Sequence, residues 1–121
     1  MSSAFEGWLR ETYAGTKGFT ALIVLIKRDA RTVWPLGSTY AHVIGNELEW
    51  TDFRRLLDAS RQAWDSVVVF PAATPTGGPL SDAEAKKRFA ETQARVIADH
   101  ATINEGAFFD RKGRPLRLEA E

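Results

Sequence analysis

The sequence has no cysteine, only two histidines, no excess of either charge and no long apolar run. Without cysteine it can form no disulfide, no thiolate zinc site and no cysteine nucleophile. The 16 basic and 16 acidic residues cancel, so we expect neither nucleic acid nor an acidic membrane surface as a partner. The longest apolar run, 21–26, is far below the ~20 residues that span a bilayer. The first residues also lack the pattern of a signal peptide. We therefore expect a cytoplasmic protein.

The length and composition indicate one folded domain that covers residues 1–121. A chain of 121 residues with 44% hydrophobic and 26% charged residues is large enough for one core and too small for two ordinary domains. The predicted helices and strands indicate the α+β class. We expect a mainly antiparallel sheet of about five to six strands, with two to three helices packed on it in a single layer.

Two capping patterns predict where helices begin. Ser3 with Glu6, and Ser81 with Glu84, have the spacing at which a serine and a glutamate satisfy each other's free amide groups. A further cap is expected at Thr51. The helical spacing of apolar residues then predicts three buried faces. These are Phe5, Trp8, Leu9, Thr12 and Tyr13 in the first helix; Phe53, Leu56, Leu57, Ser60 and Trp64 in the second; and Phe89, Val96 and Ile97 in the third.

The strand patterns span fewer residues than the helical ones. In residues 20–26 both the odd-numbered and the even-numbered positions are mainly apolar, which predicts a central strand covered on both faces. A short strand is expected at 32–34, where Pro35 and Gly37 would interrupt pairing, and a buried one at 66–70. A closing hairpin of 107–109 with 115–118 is expected around a turn at 110–113, with Gly113 in the left-handed position.

A second hairpin carries the candidate acid/base residues. The dipeptide Gly45-Asn46 suits a two-residue turn between strands 40–44 and 47–50. This register would place His42 opposite Glu49 with Tyr40 adjacent, and Ala41 opposite Trp50. A carboxylate beside an imidazole can orient it for general acid/base chemistry. His42, Glu49 and Tyr40 are therefore the candidate catalytic residues, although such a pair is also common as a plain cross-strand contact.

Carboxylates near the same hairpin suggest an alternative. Glu47 and Glu49 on a strand, with Asp29 as a third ligand, could hold a divalent metal. The order of elements over residues 3–70 resembles the core of metal-dependent nucleases of the restriction-endonuclease type. That resemblance implies a metal-dependent hydrolase or nuclease. The sequence departs from the pattern because Glu49 stands where those enzymes have lysine.

The four tryptophans favour a different function. Trp8, Trp34, Trp50 and Trp64 are many for this length, and tryptophan left exposed is enriched where proteins bind each other. We therefore expect a non-catalytic binding module without a cofactor, which acts on a protein partner or forms a homodimer.

Overall fold

The computed structural model describes residues 4–28, 33–43 and 49–116. The elements in chain order are α1 (Ala4–Thr16), β1 (Phe19–Arg28), β2 (Val33–Val43), α2 (Trp50–Asp58), β3 (Ser66–Ala72), α3 (Asp82–Ala98), a 3-10 helix (His100–Glu105) and β4 (Ala107–Asp110). The strands form one sheet in the order β2-β1-β3-β4, and every pairing is antiparallel. The α+β class and the antiparallel sheet are thus confirmed. Within the described ranges no helix is long and apolar enough to cross a bilayer.

The predicted number of strands was too high, because four strands form the sheet in the described part of the chain. The described residues of the strands expected at 32–34 and 40–44 belong to one strand, β2. Its register with β1 shifts between Leu25 and Ile26, which pair with Gly37 and Pro35 and leave Leu36 as a bulge. Since β2 lies at the edge of the sheet, Pro35 needs no amide donor there. After β4 there is only an isolated bridge between Phe109 and Pro115 rather than a further strand among the described residues.

The helices form two layers rather than the single layer we expected. Phe19, Ala21 and Ile23 of β1 share a buried cluster with residues of α1 and α2. Val24 and Ile26 share a second cluster with Val96 of α3 and with the 3-10 helix. Because successive side chains of a strand point to opposite faces, α1 and α2 cover one face and α3 covers the other. This arrangement confirms that β1 is central and covered on both sides.

Aromatic rings fill the layer between the sheet and α1 and α2. Phe5 stacks on Phe53 with 4.7 Å between ring centroids and meets Trp50 and Phe109 edge-on at 5.1 and 5.5 Å. The predicted inward face of α1 is confirmed at Phe5 and Leu9, which are buried, and two further members, Trp8 and Tyr13, pack partly against the same core.

The helix α2 differs from its prediction at both ends. Its N-cap is Glu49 rather than Thr51, and it ends at Asp58, before the expected inward residue Ser60. Phe53 and Leu57 are buried as expected, but Leu56 is 54% exposed. Trp64 reaches the core from the loop that follows, and its indole N–H donates to Asp58 at 3.0 Å.

The helix α3 begins where the sequence predicted. Ser81 is the N-cap, and its hydroxyl oxygen accepts from the Glu84 amide at 3.2 Å. The buried side of α3 comprises Ala85, Thr92 and Val96, with Phe89 partly buried. Ile97 was expected on this side but is 58% exposed, because each helical residue turns ~100° from the one before.

The Ser81 cap is open to a direct test. Replacement with alanine removes the acceptor for the Glu84 amide, and we expect the free energy of unfolding to fall by about 1 kcal/mol. Urea unfolding of the two proteins measures the difference. Ser81→Asn is the control, since asparagine also accepts at this position and should keep most of the stability. Equal midpoints for Ser81→Ala and the parent would show that the cap contributes nothing.

Candidate functional site

The structure brings two of the three candidate acid/base residues together. His42 and Tyr40 lie on β2 with 5.6 Å between ring centroids. Glu49 is not opposite His42, and Trp50 is not opposite Ala41: Glu49 is the extended N-cap of α2, and Trp50 is the first residue of that helix. The predicted pairing was wrong because Glu49 and Trp50 begin a helix instead of a strand. The strand beside His42 is β1, where its partner is Thr20. Glu47 lies outside the described residues.

Both ring nitrogens of His42 have partners. Nδ1 is 2.9 Å from the Thr20 hydroxyl, and Nε2 is 2.7 Å from an Asp82 carboxylate oxygen. The Leu80 amide donates to the same hydroxyl at 2.9 Å. A neutral imidazole protonated on Nε2 satisfies the whole chain of bonds: Leu80 donates to Thr20, Thr20 to His42, and His42 to Asp82.

The charge of Asp82 is favoured by its neighbours. The hydrogen bond from His42 is the largest influence and lowers the pKa of the Asp82 carboxyl, and the nearby Lys86 ammonium acts in the same direction. A lowered folded-state pKa means that the stabilising contribution is present at neutral pH. It is lost as the pH falls through that pKa. The pair holds the first turn of α3 against β2.

The order threonine, histidine, aspartate has the connectivity of a nucleophilic triad. However, the Thr20 side chain is 0% exposed, and its hydroxyl is already held by Leu80 and His42. A substrate cannot reach this oxygen as the site stands. We interpret the cluster as a hydrogen-bonded support that joins β1, β2 and the start of α3. The sequence analysis did not identify Thr20 as part of a polar cluster, although a signal for it was present. Thr20 is the polar residue in the otherwise apolar stretch 19–26, and a buried hydroxyl requires a hydrogen-bond partner.

The candidate metal ligands do not form a site among the described residues. Asp29 and Glu47 fall outside them, and Glu49 is exposed at the start of α2. Over 4–28, 33–43 and 49–116 there is no group of three or more histidines, aspartates and glutamates that could hold a metal ion.

The two edges of the sheet differ. The outer side of β4 is covered by the return of the chain, because the Leu116 amide donates to Phe108 at 2.8 Å and the Asp110 amide to Arg114 at 3.0 Å. The turn between them forms as the sequence predicted, with Gly113 at φ +76 and its amide donating to Asp110. The strand β2 ends the sheet on the other side, with no described strand beside it.

The backbone groups that β2 presents at this edge follow from the register. The Ile26 carbonyl and the Arg28 amide both bond to Asp65, on the β3 side of β1. Because strand residues alternate in the side to which their backbone groups point, odd-numbered residues of β1 bond to β2. Their partners include Thr39 and Ala41. The alternate residues of β2 are Ser38, Tyr40 and His42. Their backbone N–H and C=O groups point outward, away from β1.

The edge is also uncharged. Residues 33–43 contain no lysine, arginine, aspartate or glutamate, and Trp34 on this strand is 53% exposed. Proteins usually protect an edge strand with charge, proline, a bulge or a covering segment. Among the described residues, Pro35 and the bulge at Leu36 give such protection, at one end of β2. The described segment 37–43 is a regular uncharged edge.

Comparison with known proteins gives no relative: no protein-family model, curated protein or solved structure matches the chain. The features that bear on function are therefore the β2 edge and the His42 cluster.

Proposed function

We propose that the chain is a non-catalytic, cytoplasmic binding module whose binding surface is the outer edge of β2. A protein partner adds an extended segment beside residues 37–43, so that its backbone bonds to the outward groups of Ser38, Tyr40 and His42. Recognition of this kind obtains affinity from main-chain hydrogen bonds and specificity from the alternating side chains. The observation that carries the proposal is the uncharged, regular edge of β2, in contrast to the covered edge of β4.

The His42 cluster supports this function rather than catalysis. Bonds from His42 to Thr20 and Asp82 hold β2 against β1 and α3. Tyr40 is also held by α3, because its ring stacks on Phe89 of that helix with 5.7 Å between centroids. Side chains held by neighbouring elements keep an edge strand straight before a partner arrives, which lowers the entropy lost on binding.

The alternative function, a metal-dependent hydrolase or nuclease, rests on the sequence positions of Asp29, Glu47 and Glu49. No observation on the described residues favours it.

A peptide with the sequence of residues 37–43 tests the proposed function. At a low protein concentration, it should pair with β2 and give saturable NMR shift changes centred on the amides of Ser38, Tyr40 and His42. In antiparallel pairing, the amides of Ser38, Tyr40 and His42 in the peptide itself face the protein. Methylation of these three nitrogens should abolish binding.

The matched control is the peptide methylated at Thr39 and Ala41, whose amides point away from the protein and are not needed for pairing. This peptide should bind as well as the parent. Shift changes located elsewhere, or an equal effect of the two methylation patterns, would contradict binding at the β2 edge.

A further inference from the structure

We infer that the partner at the β2 edge is a second copy of this chain, paired antiparallel across a two-fold axis at Tyr40. This inference rests on the proposed function, because it names the occupant of the same edge. Two copies would join their sheets into one, with β2 beside β2 at the centre. Homodimers with a two-fold axis are the commonest closed assemblies, since one surface covers its own copy.

The described part of the regular edge sets the register that we propose. It begins after the bulge at Leu36 and extends to Val43, the last residue described before 49, so that the segment considered is 37–43. Its midpoint is Tyr40. Pairing about this residue matches every outward position: Tyr40 with Tyr40, and Ser38 with His42 of the other copy. Three such pairs give about six hydrogen bonds, whereas moving the axis by one residue leaves about four.

Charge favours a second copy as the occupant. The edge segment has no formal charge and the whole chain has a net charge of zero, so two copies meet without repulsion between like charges. A partner recognised by its charge would need lysine, arginine or carboxylate side chains on this strand. The edge is complementary to a copy of itself because each of its outward residues, Ser38, Tyr40 and His42, offers one backbone N–H and one backbone C=O.

The helix α3 lies over β2 and would contribute to the same dimer interface. Asp82 and Gln93 of α3 bond to His42 and Ser38, which shows the flank of α3 that lies over β2. Residues on this flank, four and three apart along the helix, are Lys86, Ala90, Gln93 and Ile97. They include the exposed Ile97 and, at the middle of the row, a small alanine that permits close approach of a second helix.

The opposite flank of α3 differs in composition. The corresponding row is charged throughout and consists of Glu84, Arg88, Glu91 and Arg95. Its ion pairs stay within the chain, because Arg88 lies 3.7 Å from Glu84, and Arg95 bonds to Glu105 at 2.8 Å. The apolar exposed residue of α3 therefore lies on the side of the free sheet edge, where the α3 helix of a second copy would approach.

Disulfide trapping tests both the dimer and its register, because the chain has no cysteine of its own. An axis at Tyr40 places Thr39 opposite Ala41 of the other copy, with Cα atoms ~4.5 Å apart, inside the range of a disulfide. An equimolar mixture of Thr39→Cys and Ala41→Cys should form a mixed disulfide dimer under mild oxidation. Each variant alone should not, since its two cysteines would be ~8 Å apart.

Each alternative register of the β2 pairing predicts a different pattern of cross-links. Cross-linking of Thr39→Cys alone would place the axis at Thr39, and cross-linking of Ala41→Cys alone would place it at Ala41; either would overturn the register proposed here. Absence of any cross-link, with a mass of 13.5 kDa by light scattering into the high micromolar range, would overturn the dimer. If the 37–43 peptide still bound β2, the proposed function would stand and its partner would be a different protein.

Two matched substitutions test the contribution of α3. Ile97 and Leu56 are exposed to similar extents, 58% and 54%, but lie on different helices. We expect Ile97→Gln to weaken dimerisation about tenfold through lost apolar burial, and Leu56→Gln to leave it unchanged. Sedimentation across a concentration series measures both. Equal effects of the two substitutions would remove α3 from the interface.

Discussion

Replacing Phe5 with alanine should lower the free energy of unfolding by about 3 to 5 kcal/mol. Phe5 is buried between α1, α2 and β4, and its ring contacts Phe53, Trp50 and Phe109. The substitution removes a whole aromatic ring from the centre of the cluster. The surrounding rings are large and rigid, so the cavity cannot close fully and the cost includes lost packing as well as lost hydrophobic burial.

Denaturant unfolding followed by tryptophan fluorescence measures this change, because Trp50 contacts the altered site. The control is Arg10→Ala on the same helix, since Arg10 is exposed and its loss should change stability by less than about 0.5 kcal/mol. A similarly small effect for Phe5→Ala would mean that α1 does not pack on the sheet through this residue.

Replacing Thr20 with valine should lower stability by about 1 to 3 kcal/mol for each buried polar group that loses its partner. Valine has nearly the same shape but no hydroxyl. The Leu80 amide would lose its acceptor and His42 Nδ1 would lose its donor, so two groups are affected. The larger cost belongs to the Leu80 amide, because its bond is buried.

Thr51→Val is the matched control, since Thr51 is exposed in the first turn of α2, outside the proposed β2 interface, and the same change there should be nearly neutral. Thr20→Ser keeps the hydroxyl and should retain more stability than Thr20→Val. In Thr20→Val the NMR signals of His42 and of the α3 N-terminus should also shift, since the support of β2 is loosened. If Thr20→Val were as stable as the parent, the hydrogen-bonded cluster would not support this part of the fold.

Features that depend on a few neighbouring residues could be predicted from the sequence. The Ser81 cap of α3 and the turn from Asp110 to Gly113 are formed by groups at most four residues apart. Such bonds form whatever surrounds them, so their residue patterns are diagnostic. The burial of β1 on both faces was also predicted, because a strand with one wet face would alternate in polarity.

The limits of strands and of buried helix faces were harder to predict from the sequence. Pro35 and Gly37 indicate a break in pairing when β2 is taken alone. Only the position of β2 at the edge, with a bulge opposite β1, shows why the strand continues through them. In the same way, Ile97 fits the apolar pattern of α3, but the sheet covers a stripe centred on Ala85 and Val96. Which part of an amphipathic surface is buried depends on the element packed against it.

The sequence by itself determined the antiparallel α+β class, the start of α3 at the Ser81 cap, and the presence of His42 and Tyr40 on one strand. The predicted Ser3 cap lies outside the described residues. The tertiary structure alone decided the two helix layers, the position of β2 at the end of the described sheet and the partners of His42. Thr20 and Asp82 lie 22 and 40 residues from His42 in the chain. No local pattern encodes contacts at such separations, because they form only when the packing of β1, β2 and α3 brings the three residues together.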